Sequence, residues 1–492
     1  MNDSTTMHPS IETYEQAIEF LFGRINYERL HHDLYSTSDF KLDRMAHLLE
    51  RIENPQLHIP VVHIAGSKGK GSTAAMIAAG LRTSGRKTGL FTSPHIDAFE
   101  ERMVVDGVQP TREELTRLVD DISDVVRQIE SEPGHVSPTY FELATALAWQ
   151  HFRNNRVEWA VLEVGLGGRL DATNLCQPFV SVITSISRDH TRLLGSELDR
   201  IAREKAGIIK PGVPVVCGVE QPDALAAIEH AAELCNAQLW RLGREIQLEY
   251  NPQRHTARVV TPARTWPEIH VPLLGRHQAA NTALAAATID LAHHAHQADQ
   301  HSPSIPVEPA RQAIEQIECP VRIETVRLHP TVIVDAAHNW ASYQALIETL
   351  DTLKPNTSLD KPTLHSANLG NLGETLTNRH RLLIFSTSRD KDIDGALRQL
   401  LPHFDTVILT QFQNNPRAVP VESLHRRVRE LFDTPVHATA DPAAAWHLGR
   451  KLAGPDDLVC VTGSFFIAAE IRELVRDQPL TRHEPPPAGS TA

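Results

Sequence analysis

The chain has 492 residues, 41% of them apolar and 22% charged, a composition suited to a globular protein of two or three domains. Its net charge of −13 argues against broad binding to nucleic acid or to an anionic membrane surface, although a small nucleotide site needs only local positive groups. No apolar run approaches about 20 residues, the first ten residues lack an apolar signal core, and the five cysteines are scattered without a C-x-x-C pair; a soluble, cytoplasmic protein with reduced thiols is expected.

Strand and helix signals alternate along the first half. Val61 to Ala65 reads as a buried strand, Ser72 to Arg82 as a helix that stops at Gly85, and Thr88 to Phe91 as a second strand. Phe141 to Phe152 is helical. Val157 to Val164 and Val180 to Ser185 are β-branched runs of the kind buried on both faces of a parallel sheet. Ser196 with Asp199 suggests a capping box for a helix ending near Ala206. Val213 to Cys217 is the next strand and Asp223 to Cys235 the next helix, and from Asn281 an alanine-rich helix runs to about His293. The pattern predicts an α/β fold with a parallel, ATPase-like sheet.

Cys319-Pro320 marks a hinge. The alternation then restarts, with strands at Val332 to Asp335, Arg381 to Phe385, Thr406 to Thr410, Val436 to Ala438 and Leu458 to Val461, and a last helix over Phe466 to Val475. This predicts a smaller Rossmann-like domain. The expected organisation is a disordered start (1–10), a nucleotide-binding domain (11–318), a second domain (319–476) carrying a surface insertion at about 355–378, and a disordered tail (477–492).

The chemistry starts at Gly66-Ser67-Lys68-Gly69-Lys70-Gly71-Ser72. A strand aims this loop, its glycines let backbone N–H groups close on an anion, and the following helix adds partial positive charge. Lys70 supplies a mobile cation and Ser72 a hydroxyl for magnesium. The spacing departs from the common phosphate loop, since only two residues separate Gly66 from Gly69-Lys70. Further polar segments follow the later strands: Thr92-Ser93-Pro94-His95, Glu163-Val164-Gly165-Leu166-Gly167-Gly168-Arg169-Leu170-Asp171-Ala172-Thr173-Asn174, and Ser187-Arg188-Asp189-His190. Open α/β sheets bind ligands at these strand ends. On its own chemistry, Glu163 suits a hard cation, or else a structural salt bridge.

Taken with Glu204-Lys205-Ala206-Gly207-Ile208, these segments resemble the Mur ligase superfamily, and within it the bifunctional bacterial type of the folylpolyglutamate synthase and dihydrofolate synthase family. The likeness runs from Phe40-Lys41-Leu42-Asp43-Arg44-Met45 to Val461-Thr462-Gly463-Ser464-Phe465-Phe466. It implies a P-loop domain followed by a Rossmann-like domain (the Mur ligase fold) and an ATP-dependent amide ligase. Such an enzyme activates a pteroate or folate carboxylate as an acyl phosphate and couples it to L-glutamate, releasing ADP and phosphate. It implies ATP with two magnesium sites, potassium as a further candidate cation, and a monomer whose partners are small molecules. Alternatives are a cell-wall Mur ligase, which would carry a separate N-terminal domain for which about 60 residues are too few, and a non-catalytic nucleotide-binding regulator.

The resemblance assigns Ser72, Ser93, Glu163, His190 and Lys205 to the metal sites, with Lys70, Glu163, His190 and Lys205 as the catalytic set. Lys205 matches a lysine carbamylated in the family; the plainer reading is a lysine complementing a helix C-terminus. Gly66 to Ser72 would hold phosphates, with Lys68 either adding charge there or facing solvent. Asn281 would contact adenine, or merely cap the alanine-rich helix. Arg322, Asp335 and His338, from the second domain, match groups that reach ATP, with Ala336 standing where the family has glycine. Phe40, Lys41, Leu42, Thr139, Phe141 and Asp171 align with segments that meet the pteroyl group, the two phenylalanines being equally suited to a core.

Overall fold

The structure is a computed structural model that describes residues 10–28, 41–134, 136–189, 191–297, 304–353, 380–432 and 435–476. His190 and Phe40, the insertion at about 355–378 and the two terminal segments expected to be disordered lie outside the described residues, except that Ser10 is described.

Among the described residues the chain divides into two compact units. One comprises residues up to Pro320 together with 344–353; the other comprises Val321–Tyr343 and the residues from 380 onward.

The first unit is built on a seven-stranded sheet. Its strands are β1 (Val61–Ala65), β2 (Thr88–Phe91), β3 (Met103–Val105), β4 (Trp159–Glu163), β5 (Pro178–Ile183), β6 (Val215–Cys217) and β7 (Leu239–Arg241), in the order β3-β2-β4-β1-β5-β6-β7. All neighbours pair in parallel except β3, which runs antiparallel to β2. Every residue of β1 and β4 is buried, which explains why these strands read as continuous apolar runs. Alternation still sorts the two faces. Val62 and Ile64 join a core with Met76, Ile77, Leu284 and Ile289, from helices Lys70–Arg82 and Arg276–Gln297. Val61 faces the opposite core, with Leu48, Leu115 and Trp149, from helices Leu42–Arg51, Arg112–Ser131 and Tyr140–Asn154.

A three-stranded antiparallel sheet, β8 (Gln247–Asn251), β9 (Thr256–Val260) and β10 (Ile269–His270), corrects the expectation of a purely parallel unit. Its strands are short, and β8 is half exposed, so no apolar run announces them. Two smaller corrections concern helix starts. The helix Leu198–Ala206 is capped at Glu197 without a side-chain bond, because the Ser196 hydroxyl turns to the Glu197 carboxylate instead. The alanine-rich helix begins at Arg276, so Asn281 lies inside it and is not its N-cap.

The second unit carries six strands, β11 (Glu324–Arg327), β12 (Thr331–Val334), β13 (Arg381–Phe385), β14 (Thr406–Leu409), β15 (Val436–Ala438) and β16 (Leu458–Thr462), ordered β11-β12-β16-β13-β14-β15. Only the edge strand β11 is antiparallel. No described helix is long and apolar enough to cross a membrane.

Trp149 is fully enclosed in the helical layer that packs against Val61. Replacing it with alanine removes its buried area and leaves a cavity, so W149A is expected to lose about 3–5 kcal/mol from the first unit's unfolding transition in urea.

Candidate active site

The polar segments that follow β1, β2, β4 and β5 converge at the C-terminal edge of the first sheet. The phosphate loop leaves β1 at Gly66 and enters the helix Lys70–Arg82. Two of its glycines are forced. Gly66 has φ +156°, and a Cβ there would fall 1.9 Å from Thr184 Oγ1. Gly69 is left-handed at φ +85°, and its Cβ would fall 2.4 Å from Asn281 Oδ1.

The segment after β5 braces the loop. Ser67 N–H donates to Ser185 O at 2.7 Å, and Lys68 N–H to Ser185 Oγ at 3.0 Å. The Thr184 hydroxyl donates to Lys68 O at 2.6 Å, while Ser67 Oγ donates to Ser187 O at 3.0 Å and accepts from Ser187 N–H at 2.9 Å. Ser67 and Lys68 therefore shape the loop with groups that a bound anion would otherwise use. The donors aimed onward belong to the first helical turn, Lys70 to Ser72, whose N–H groups have no acceptor within the helix. Thr184 and Ser185 were not expected as site residues, and Ser187 only as part of its motif; the signal was the change from Val182-Ile183 to hydroxyl residues at the strand's end.

Charged side chains gather on this frame. The Lys70 ammonium donates to Gly66 O at 3.2 Å and stands 3.9 Å from Glu163 Oε1. Glu163 ends β4 and is buried; it accepts Ser93 N–H at 3.2 Å, and a Cβ on Gly71 would lie 3.3 Å from its Oε2. Ser72 is buried in the first turn beside Gly71. Lys68 pairs with Asp189 at 3.1 Å, a partner that neither of its expected placements named.

Lys205 is buried in the last turn of Leu198–Ala206. Burial pushes its pKa down to about 7, and Lys70 adds to the shift, opposed by Asp189; Lys68 lowers it further and Asp171 raises it. These pairings put Lys205 in the electrostatic reach of the same cluster. Asn281 touches the loop at Gly69 through Oδ1 and donates through Nδ2 to Gln278 Oε1 at 2.8 Å.

Ser93 lies on a loop held by a buried arginine that sequence reasoning missed. Arg102 donates to both oxygens of Glu28, at 3.0 and 2.6 Å, and through Nε to His95 Nδ1 at 2.7 Å. Burial opposes its charge, but Glu28 overcomes this and the pKa moves up. Residues 74 apart give no local signal of such a pair.

Of the residues expected at the acceptor, Phe40 lies outside the described residues and the others are placed as follows. Arg44, from the helix that begins after Lys41, bridges to Glu142 at 3.1 Å. Glu142 completes a capping box with Thr139, accepting Thr139 N–H at 2.7 Å. Leu42, at the start of one helix, and Phe141, at the start of the other, are thereby tied near each other, while Lys41 is exposed. Phe141 is half-buried, its ring 5.9 Å from that of Phe91, and a Cβ on Gly165 would fall 2.5 Å from it. Asp171 is buried and accepts from Leu166 N–H at 2.8 Å and from Thr173. Burial raises its pKa against those donors.

In the second unit, Asp335 follows β12 and accepts Ile323 N–H and Ala337 N–H, both at 2.8 Å. It thus clips the Arg322 segment to the loop bearing His338. Arg322 is flanked by two β-branched residues in left-handed conformation, Val321 at φ +53° and Ile323 at φ +50°. His338 donates from Nδ1 to Ala336 O at 2.8 Å. Ala336 is not among the residues with positive φ, so its Cβ is tolerated there.

Residues 64–289 match the Mur ligase middle domain and residues 321–465 the glutamate ligase domain of Mur ligases. That pair of domains defines an ATP-dependent ligase of the Mur ligase fold. The chain is 32% identical over 442 residues to dihydrofolate synthase/folylpolyglutamate synthase of Bacillus subtilis, covering 88% of this chain and 95% of that protein. It is 30% identical to the protein of the same name from Escherichia coli, over 94% and 98% of the two chains. Folylpolyglutamate synthase of Mycobacterium tuberculosis, complexed with ADP and AMPPCP, superimposes with a TM-score of 0.79 at 29% identity, over 95% of this chain and 99% of that one. The Escherichia coli enzyme in complex with DHPP and ADP superimposes with a TM-score of 0.78 at 26% identity. The chain belongs to the folylpolyglutamate synthase and dihydrofolate synthase family.

Gly69→Ala would force a Cβ into both a left-handed position and the Asn281 amide. It is expected to cut ATP-dependent turnover by about 100-fold or more while leaving the far-ultraviolet circular dichroism unchanged, since small displacements of a positioned group have costs of that order.

Proposed function

We propose that this ligase couples L-glutamate to the free carboxylate of dihydropteroate, of a reduced folate, or of both. The observation that carries the reading is the gathering of Lys70, Glu163, Asp189 and Lys205 around one phosphate loop. The names of the relatives favour a pterin acceptor over a cell-wall one.

In this reading the γ-phosphoryl group of ATP passes to an acceptor carboxylate oxygen, the bond to the β-phosphate breaks, and ADP leaves an acyl phosphate. The glutamate amine then attacks the acyl carbon, loses a proton, and inorganic phosphate departs. Charge spreads over the phosphoryl oxygens in transit, so the protein's work is positioning and positive charge. Lys70 and the N–H groups of the first helical turn supply that charge. Asn281 orients the nucleotide from beside Gly69; by family resemblance Arg322, Asp335 and His338 are assigned to ATP as well.

Phe141 and the Gly165–Leu166 turn form a wall for the flat acceptor ring, with Leu42 and Thr139 at its edge and Asp171 behind it. Lys41 meets the acceptor's outer part.

The donor set fits magnesium. Glu163 offers hard oxygens beside the loop, with Ser72 buried in the first turn and Ser93 held next to Glu163 through its backbone N–H, and the hydroxyls of Ser72 and Ser93 and the His190 ring are further ligands by resemblance. Magnesium, when bound, would neutralise phosphate charge. A second cation beside the Lys68, Lys70 and Lys205 ammoniums would be repelled unless Lys205 changes sign. Carbamylation does this: the neutral amine adds carbon dioxide and releases a proton, giving an anion with two oxygens. An ordinary lysine is less than about 0.1% neutral at pH 7. At a pKa of about 7, roughly half of the Lys205 amine is neutral there.

Purified enzyme should release phosphate from ATP only when glutamate and either dihydropteroate or tetrahydrofolate are both present; silence with both acceptors would remove the proposal. Enzyme equilibrated with 13C-bicarbonate should show a carbamate carbon by NMR whose occupancy rises from pH 6 to pH 8. K205A should lack that signal and lose turnover by about 100-fold or more, and unchanged turnover would rule the carbamate out.

A further inference from the structure

A buried chain of hydrogen bonds links the strand that feeds the phosphate loop to the turn that follows β4. His63 is the middle residue of β1 and is completely enclosed. Its Nε2 lies 2.8 Å from Thr173 Oγ1. Thr173 Oγ1 lies 2.5 Å from Asp171 Oδ1, and Thr173 N–H donates to the same oxygen at 3.1 Å. On the other side of the carboxylate, Leu166 N–H donates to Oδ2 at 2.8 Å.

The direction of each bond follows from the donors. Backbone N–H groups can only donate, so the Asp171 carboxylate accepts at both oxygens. The Thr173 hydroxyl gives its single proton to Asp171 and must accept from His63. His63 is therefore the Nε2–H tautomer, and its Nδ1 is buried with no hydrogen-bond partner. Burial also pushes its pKa down to about 3, so the ring is neutral throughout the physiological range.

This arrangement is costly as packing. An orphaned buried nitrogen costs about 1–3 kcal/mol, and an aliphatic side chain would satisfy this strand position as Val61 and Ala65 satisfy their own. The polar residue has a use at the far end of the chain. Asp171 ties its own segment to the Gly165–Leu166 turn, and Gly165 lies hard against the Phe141 ring, where even a Cβ would come within 2.5 Å. A change in the Asp171 rotamer would release the turn, and with it the surface that seats Phe141.

We propose that His63 and Thr173 are positioning residues for acceptor binding: acting through Asp171, they lock the Gly165–Leu166 turn against Phe141. This rests on the reading of Phe141 and that turn as the acceptor wall. The hydrogen bonds of Ser67 and Lys68 in the phosphate loop run to Thr184, Ser185 and Ser187 and use none of these groups, so the nucleotide side should be spared.

The test is steady-state kinetics on the full-length enzyme, varying acceptor and ATP separately, with thermal melts alongside. T173V removes the hydroxyl and should raise the acceptor KM about tenfold or more while the ATP KM stays within about twofold; T173S keeps the hydroxyl and should restore the acceptor KM. H63Q places an amide N–H where Nε2–H was and should resemble wild type, whereas H63L should resemble T173V. An unchanged acceptor KM in T173V, a parallel rise in both KM values, or failure of T173S to rescue would overturn the proposal. If T173V does not fold, the H63Q and H63L pair decides, and equal acceptor KM values in the two would overturn it. F141A reports separately on the underlying reading: an unchanged acceptor KM there removes the acceptor wall itself.

Discussion

Everything at the nucleotide end depends on the close fit between the phosphate loop and the chain that follows β5. Four backbone and hydroxyl groups of the loop are satisfied by Thr184, Ser185 and Ser187, and no side chain fits at Gly66 or Gly69. Because those inner donors and acceptors are already used, the first helical turn alone is presented outward. A loop two residues shorter than the common type can work because a neighbouring strand supplies the rigidity that extra loop residues provide elsewhere.

Electrostatics completes what the backbone begins. Three lysines, Lys68, Lys70 and Lys205, lie within electrostatic reach of one another, and carboxylates from the ends of two strands, β4 and β5, answer them. Asp189 pairs with Lys68, Glu163 stands beside Lys70, and Lys205 is left buried with a depressed pKa. The imbalance falls on the one lysine with the least water around it. That is the physical reason an otherwise ordinary helix-terminal lysine has a lowered pKa.

The sequence made the long-range architecture legible wherever burial is two-sided. β1, β4, β5, β13, β14 and β16 are predominantly apolar runs, with His63 and Ser181 as interior exceptions, and the motif residues stand at the ends of such strands. It was silent where a strand is short or half-wet, as in β3 and β8 to β10. Local capping rules failed at Ser196, whose hydroxyl found a nearer carboxylate, and at Asn281, five residues inside a helix that began earlier. In the site, the charged residues were readable from their motifs, but their partners were not. Arg102 with Glu28, Lys68 with Asp189, and His63 with Thr173 are contacts across 74 to 121 residues, and only folding creates them.

The turn at Arg322 has a consequence for how this protein can change. Val321 and Ile323 both hold left-handed φ values that β-branched side chains disfavour by roughly 1–3 kcal/mol each. Asp335 and Glu324 hold that segment in place by accepting the N–H groups of Ile323 and Val321. Glycine at either position would relax the backbone and widen the range of directions available to the arginine between them. Relief of that strain would come with a loss of packing, because Val321 and Ile323 are both buried in the core. The same two side chains that strain the backbone also anchor the turn, so the direction of the Arg322 backbone is held by burial against local conformational preference.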